Sequence, residues 1–292
     1  MINLKKLKIG RTEKPFIIAE MSGNHNQSLE RALSIVDAAA DAGAHAIKLQ
    51  TYTADTMTLD LKDGEFFIDD PKSLWKGQAM HDLYKLAYTP WEWHEPIMKH
   101  ASSRNLLCFS SPFDESAVDF LETLDVPAYK IASFECIDLP LIKKAASTKK
   151  PLIISTGMAS IVEIGDAVEA ARGAGCENLV LLKCTSTYPA SPENTNLNTI
   201  VHMRELFDCE VGLSDHTLGI GAAIAAIAVG ATVIEKHFTL SRSDGGVDSA
   251  FSLEPNEMKA LALECERAFQ ALGEIRYGPT EAEEDARSRR RS

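Results

Sequence analysis

A chain of 292 residues suits one large domain or two small ones, and it can bury about three-quarters of its unfolded surface without disulfide or metal staples. Hydrophobic residues at 45% and charged residues at 25% make an ordinary globular composition. Acidic residues outnumber basic ones 42 to 30, a net charge of −12, which argues against non-specific nucleic-acid binding yet leaves room for a local cationic pocket.

The first ten residues carry lysines but no apolar core, so they do not read as a signal peptide, and a cytoplasmic protein is expected. From residue 16 onward, short apolar runs rich in β-branched residues alternate with helical stretches. The runs are 16–20, 46–51, 106–110, 128–132, 152–155, 179–183, 210–213 and 232–238, each apolar enough for a strand buried on both faces. Helices are predicted at 28–42, where Ser28 precedes Glu30 and Gly43 stops the pattern, and at 90–104, which opens on proline. Others follow at 114–124, 139–147, 160–174, 198–207, 218–229 and 255–272. Eight such units in about 270 residues match the size and period of a (β/α)8 TIM barrel, an α/β fold. A doubly wound sheet would carry G-x-G-x-x-G after its first strand, and residues 16–26 have none.

One long insertion, 52–89, contains Trp75 and a helical piece at 80–87. A lid over the barrel mouth and a plain surface excursion both fit it. The longest apolar run, 219–234, is interrupted by glycines and shorter than the ~20 residues of a membrane span, so no membrane partner is expected. The six cysteines form no C-x-x-C pair and read as reduced thiols. After Gly278 the chain turns strongly charged, with Arg287, Arg289, Arg290 and Arg291 near its end. The expected division is a barrel over 1–278 and a disordered or linker-like tail over 279–292.

In a (β/α)8 barrel the chemistry gathers at the C-terminal strand ends. Those positions hold Glu20; Lys48 and Gln50; Ser110 and Ser111; Lys130, Ser133 and Glu135; Ser155 and Thr156; Lys183, Thr185, Ser186 and Tyr188; Ser214, Asp215 and His216; and Glu235, Lys236 and His237. Converging lysines within a ring of hydroxyls suit an anionic, phosphorylated substrate. Period-two alternation puts Lys48 with Gln50 on one face of their strand, and Glu235 with His237 on one face of theirs. His216 and His237, on neighbouring strands beside Glu20, could hold a divalent metal or be hydrogen-bonded structural histidines. Asp248 could accept from sugar hydroxyls or serve as a turn residue.

Six segments, in order, resemble the sialic acid synthase family. They are Ala19-Glu20-Met21-Ser22-Gly23-Asn24-His25-Asn26, Lys48-Leu49-Gln50-Thr51-Tyr52, Lys130-Ile131-Ala132-Ser133, Ile154-Ser155-Thr156-Gly157-Met158, Gly212-Leu213-Ser214-Asp215-His216-Thr217 and Glu235-Lys236-His237-Phe238-Thr239. Tyr88-Thr89-Pro90-Trp91-Glu92-Trp93-His94 and Cys184-Thr185-Ser186-Thr187-Tyr188-Pro189-Ala190 look most like the pseudaminic acid branch.

The resemblance implies a metal-dependent synthase that condenses phosphoenolpyruvate with an open-chain amino sugar, releasing phosphate by C–O cleavage and forming a nonulosonic acid. The implied sugar is 2,4-diacetamido-2,4,6-trideoxy-altrose, with an N-acetylneuraminate or legionaminate precursor as the alternative. A non-catalytic, ligand-binding barrel is the alternative of another class. By the same resemblance His216 and His237 would bind Mn²⁺, or another divalent ion such as Mg²⁺ or Co²⁺. Lys48, Ser111, Lys130, Ser133, Ser155, Ser186 and Ser214 would hold phosphoenolpyruvate. Gln50, Glu135, Tyr188 and Asp248 would contact the sugar, and Glu20 would transfer a proton.

Ser111 stands where the family often has threonine, and Ser186 where sialic acid synthases often have asparagine. The family adds an antifreeze-like domain that lends an arginine to the partner subunit's site. This sequence ends at Ser292, where that domain would begin, so reduced activity and a weakened homodimer are expected.

Overall fold

The computed structural model describes residues 1–5, 7–287 and 289–290; the predicted tail residue Arg291 lies outside them. The chain opens with two short strands, β1 (Ile2–Leu4) and β2 (Leu7–Ile9), paired antiparallel. Then come β3 (Phe16–Glu20), α1 (Leu29–Asp41), β4 (Ala46–Thr51), α2 (Ala54–Met57), α3 (Met80–Ala87) and α4 (Trp91–Ser103). The middle of the chain forms β5 (Leu107–Pro112), α5 (Glu115–Thr123), β6 (Tyr129–Ile131), α6 (Leu139–Ser147), β7 (Leu152–Ser155) and α7 (Ile161–Gly173). The last part forms β8 (Leu179–Cys184), α8 (Thr199–Phe207), β9 (Glu210–Asp215), α9 (Gly221–Ala228), β10 (Val233–His237), α10 (Pro255–Leu272) and the one-turn α11 (Glu284–Arg287). Strands β3 to β10 are all parallel and close on themselves, β10 pairing with β3, which makes the predicted (β/α)8 barrel.

Side-chain alternation divides each strand between two cores. The outward residues, such as Ile17, Ile47, Ile131, Leu181 and Ile234, pack under the helices. The inward ones, Phe16, Ile18, Ala46, Phe109, Ala128, Ile153, Val180, Leu182 and Val233, fill the barrel. Ile2, Leu4 and Ile9 join that inner cluster, so the β1–β2 hairpin plugs the N-terminal end. Sequence patterning passed over this hairpin because three-residue strands carry too little periodicity. Gly212 faces inward where a Cβ would lie 2.2 Å from the Val233 carbonyl oxygen, so only glycine lets β9 approach β10.

The helices begin where short polar side chains can take up free backbone N–H groups. Ser28, Asp114, Asp138 and Ser160 accept from Arg31, Ala117, Leu141 and Glu163, each cap contributing about 1 kcal/mol. The predicted ends of β5, β8 and β9 fall short of the observed ones, since Ser111–Pro112, Cys184 and Ser214–Asp215 continue the ladders. Ser111, Lys183 and Ser214 interrupt the apolar pattern there. In the tail, expected to be disordered, Thr280 caps a turn leading into α11, all of it exposed. No helix among the described residues is long and apolar enough to cross a membrane.

Candidate active site

Inward alternation carries past the apolar floor of the barrel to its C-terminal mouth. Following Phe16 and Ile18 comes Glu20; following Ala46 come Lys48 and Gln50; following Ala128 comes Lys130; and following Val233 come Glu235 and His237. Four of these make a charge ring almost sealed from solvent, with Glu20, Lys48, Lys130 and Glu235 each at most 5% exposed. Lys48 Nζ lies 2.5 Å from Glu20 Oε2 and 3.9 Å from Glu235 Oε2. It also donates to Ser111 Oγ at 3.1 Å. Lys130 Nζ lies 3.4 Å from Glu235 Oε1, which accepts from Ser214 Oγ at 2.9 Å. Gln50 Nε2 donates to Glu20 Oε1 at 3.0 Å.

The two carboxyls diverge in acidity. Burial raises Glu20 to about 7, Lys48 opposing it only in part and the Glu235 charge adding to the rise. Burial also works against the Glu235 carboxylate, but Lys130 and Lys48 outweigh it and hold the group down to about 2. Burial depresses Lys130, whereas in Lys48 the two carboxylates more than offset burial and raise its pKa. One mouth thus holds an acid near neutrality beside a permanent carboxylate, a division suited to proton transfer next to an anion site.

Across the mouth, the His216 and His237 rings stand 5.3 Å apart between centroids. His216 Nδ1 donates to the Thr185 carbonyl at 2.9 Å, which leaves Nε2 as the free lone pair. His237 Nδ1 is buried without a hydrogen bond, 3.6 Å from Asp248 Oδ2. Burial, reinforced by His216, Lys48, Lys236 and Lys130, keeps His237 neutral. A carbonyl-oriented imidazole beside a neutral, unpartnered one is a donor set that fits a divalent cation. Tyr188 covers both rings, with centroids 4.6 Å from His216 and 6.5 Å from His237. Asp248 accepts from Ser22 Oγ, and burial raises its pKa.

On the β6–β8 side, Ser133, Ser186 and Gly157 converge. A Cβ on Gly157, whose φ is +41°, would lie 2.5 Å from Ser133 Cβ and 2.7 Å from Ser186 Oγ, so glycine keeps a hollow between the two hydroxyls. Ser155 Oγ, Glu135 Oε2, Glu235 Oε2 and His237 Nδ1 are buried polar atoms without a hydrogen-bond partner. Each such atom costs about 1–3 kcal/mol, and their gathering at one mouth marks a place shaped for a polar ligand. Burial raises Glu135 to about 7 as well.

The insertion after β4 folds back over this mouth. Trp75 Nε1 donates to the Val247 carbonyl at 2.8 Å, and its ring lies 5.9 Å from that of Tyr188. Of the two sequence alternatives for the insertion, this contact matches the covering lid.

All fourteen candidate residues, from Glu20 to Asp248, thus lie at the mouth, but two of the strand-end lysines do not join them. Lys236 faces the helices and is ion-paired with Asp215 at 2.7 Å, and Lys183 Nζ donates to the Cys184 carbonyl at 2.7 Å. Two further inward residues join the candidates. Glu235, placed by alternation on one face with His237, has no role from sequence alone, and Cys184, which reads in the sequence as a plain thiol, follows Val180 and Leu182 inward to lie 3.8 Å from His216 Nδ1. Burial opposes the Cys184 thiolate, but His216, Ser133 and Lys130 prevail and lower the thiol to about 7.

Comparison with known proteins gives this geometry a context. Residues 35–277 match the model of the NeuB family. Pseudaminic acid synthases of Campylobacter jejuni and Helicobacter pylori are 47% and 44% identical over 262 residues, 90% of this chain and 76% of each relative. The crystal structure of an N-acetylneuraminic acid (sialic acid) synthetase from Leptospira borgpetersenii superposes with a TM-score of 0.87 at 32% identity, covering 99% of this chain and 95% of that one. The chain belongs to the NeuB family, the sialic acid synthase family that its strand-end motifs resemble.

Proposed function

We propose that this protein is a pseudaminic acid synthase, condensing phosphoenolpyruvate with 2,4-diacetamido-2,4,6-trideoxy-altrose and water to give the nonulosonic acid and phosphate. The observation that carries the reading is the buried Glu20–Lys48–Glu235–Lys130 ring beside His216 and His237, in a chain 44–47% identical to pseudaminic acid synthases.

Lys48 and Lys130 take the phosphate and carboxylate of phosphoenolpyruvate, displacing part of their pairing with Glu235. Ser111, Ser133, Ser155, Ser186 and Ser214 donate to the same oxygens; Ser155 Oγ lacks any partner in the protein alone. Gln50, Glu135, Tyr188 and Asp248 line the sugar side. His216 and His237 would hold a divalent ion, Mn²⁺ or a substitute such as Mg²⁺ or Co²⁺, which when bound would supply Lewis-acid polarisation of the sugar aldehyde. As carbon three of the enol bonds to the aldehyde carbon, Glu20 gives its proton to the aldehyde oxygen. Water adds at carbon two and returns a proton to the Glu20 carboxylate. The new hydroxyl then closes to the keto group, its proton leaving with the phosphate as the C–O bond breaks. The lysines act by charge, without a covalent bond to substrate.

The test is phosphate release from phosphoenolpyruvate with Mn²⁺ and, separately, the altrose sugar, its legionaminate counterpart and N-acetylmannosamine, each with a chelator control. Chelator-sensitive release with the altrose sugar alone is expected. Release with another sugar would keep the chemistry and replace the substrate. Silence with all three from folded protein would leave a ligand-binding barrel.

A further inference from the structure

Outside the barrel mouth, the insertion carries a second set of metal-type ligands that the chemistry above does not use. His81, on α3, is 1% exposed although it lies in a surface segment. Its Nε2 lies 2.8 Å from Asp55 Oδ1, from α2. A carboxylate accepts a proton at that distance, so Nε2 is the protonated nitrogen and Nδ1 holds the lone pair. Nδ1 is buried, has no hydrogen bond, and faces Asp60 Oδ1 at 3.4 Å. Ligand atoms of Asp60, His81 and Asp82 all fall within 4.8 Å of one another. A lone pair turned toward two carboxylates is repulsive unless a cation sits between them.

We propose that Asp60, His81 and Asp82 form a divalent-cation site that clasps the lid, with Asp55 orienting the imidazole from behind. One imidazole nitrogen and two carboxylate oxygens suit a first-row ion such as Mn²⁺ or Zn²⁺. At metal–ligand bonds of about 2.1 Å, tetrahedral neighbours stand about 3.4 Å apart, which matches the His81–Asp60 spacing. Lys62 Nζ, 3.2 Å from Asp82 Oδ2, is the one competing cation at the rim among the described residues, and it swings out when the ion enters.

The clasp has a structural purpose. Between Asp60 and His81 the chain forms a small hairpin in which Phe67 bridges Ala79 and Ile68 exchanges hydrogen bonds with Gly77 and Gln78. This hairpin carries Trp75, which reaches Val247 and Tyr188 over the mouth. An ion binding the base of the hairpin to α3 fixes its exit and entry points and so holds Trp75 in place. The site stands on these contacts alone, whatever reaction the mouth performs.

The test is Mn²⁺ binding to the full chain by calorimetry and electron paramagnetic resonance, for the parent, D60N/D82N and H216A/H237A. Asp60 and Asp82 are about half exposed, so their amides leave the fold intact. The expected result is that D60N/D82N binds one Mn²⁺ fewer per chain than the parent, and that H216A/H237A keeps one. Mn²⁺ should also slow tryptic cleavage at Lys62, Lys72 and Lys76 several-fold in the parent and not in D60N/D82N. Equal stoichiometry in the parent and D60N/D82N would overturn the proposal. Should H216A/H237A fail to fold, the parent and D60N/D82N pair still decides.

Discussion

Replacing Glu235 by glutamine removes one charge from the ring and keeps its shape. Lys48 retains Glu20 at 2.5 Å, but Lys130 loses its carboxylate partner, since Glu235 is the acid within ion-pair range of it. Breaking a buried ion pair from one side costs about 3–5 kcal/mol. The low end applies, because burial already depresses Lys130 and the amine can shed its proton rather than remain charged and alone. A loss of about 3 kcal/mol lowers the unfolding midpoint of a chain this size by roughly 6–12 °C. If the lysines receive phosphoenolpyruvate, that ligand restores the missing negative charge. Saturating phosphoenolpyruvate should then raise the midpoint of Glu235→Gln by more than it raises the parent's. The assay is thermal unfolding of both proteins at pH 7 with and without the ligand. A variant whose midpoint stays within about 1 °C of the parent's, or an equal ligand response in both, would refute the reasoning.

Three further outcomes follow from the same geometry. Glu20 is raised from 4.5 to about 7, so the folded chain holds an extra proton between those values and stability falls as pH rises through that window, by about 3 kcal/mol in all. Glu20→Gln removes this slope, so the parent-minus-variant difference in unfolding free energy should decline from pH 5 to 8; a flat difference contradicts the raised pKa. Gly212→Ala drives a Cβ to 2.2 Å from the Val233 carbonyl oxygen, and chemical denaturation should show a loss of about 3 kcal/mol or more, whereas a neutral substitution would mean the strands separate freely. Trp75→Ala removes the hydrogen bond to Val247 and the contact with Tyr188, so cleavage of the 60–82 segment by a protease should quicken about ten-fold, with a raised KM for the sugar.

Strands β3, β4 and β7 were legible to the residue because their outward faces are apolar, and their inward faces begin apolar and turn polar only toward the mouth. Strands β5, β8 and β9 were cut short where Ser111, Cys184 and Ser214 replace apolar residues, which is where they enter the site. The hydrophobic signal fades at functional strand ends because those ends serve a ligand rather than the core. Parity was the better guide. Counting by twos from Val233 brings Glu235 inward and turns Lys236 outward, and counting from Val180 does the same for Cys184 and Lys183. What no single strand reveals is the pairing of Lys48 with Glu20 and of Lys130 with Glu235. Those contacts depend on inter-strand register, on β3 meeting β4 at Glu20 and Lys48, and on the closure that brings β10 beside β3.

The most direct test of the proposed chemistry is the fate of oxygen in phosphoenolpyruvate labelled with ¹⁸O at the bridge between carbon two and phosphorus. Turnover with Mn²⁺ and the altrose sugar should deliver the label to inorganic phosphate and leave the new keto acid with oxygen from water. Label retained in the keto acid would mean P–O cleavage, and it would contradict water addition at carbon two beside Glu20, Lys48 and Lys130.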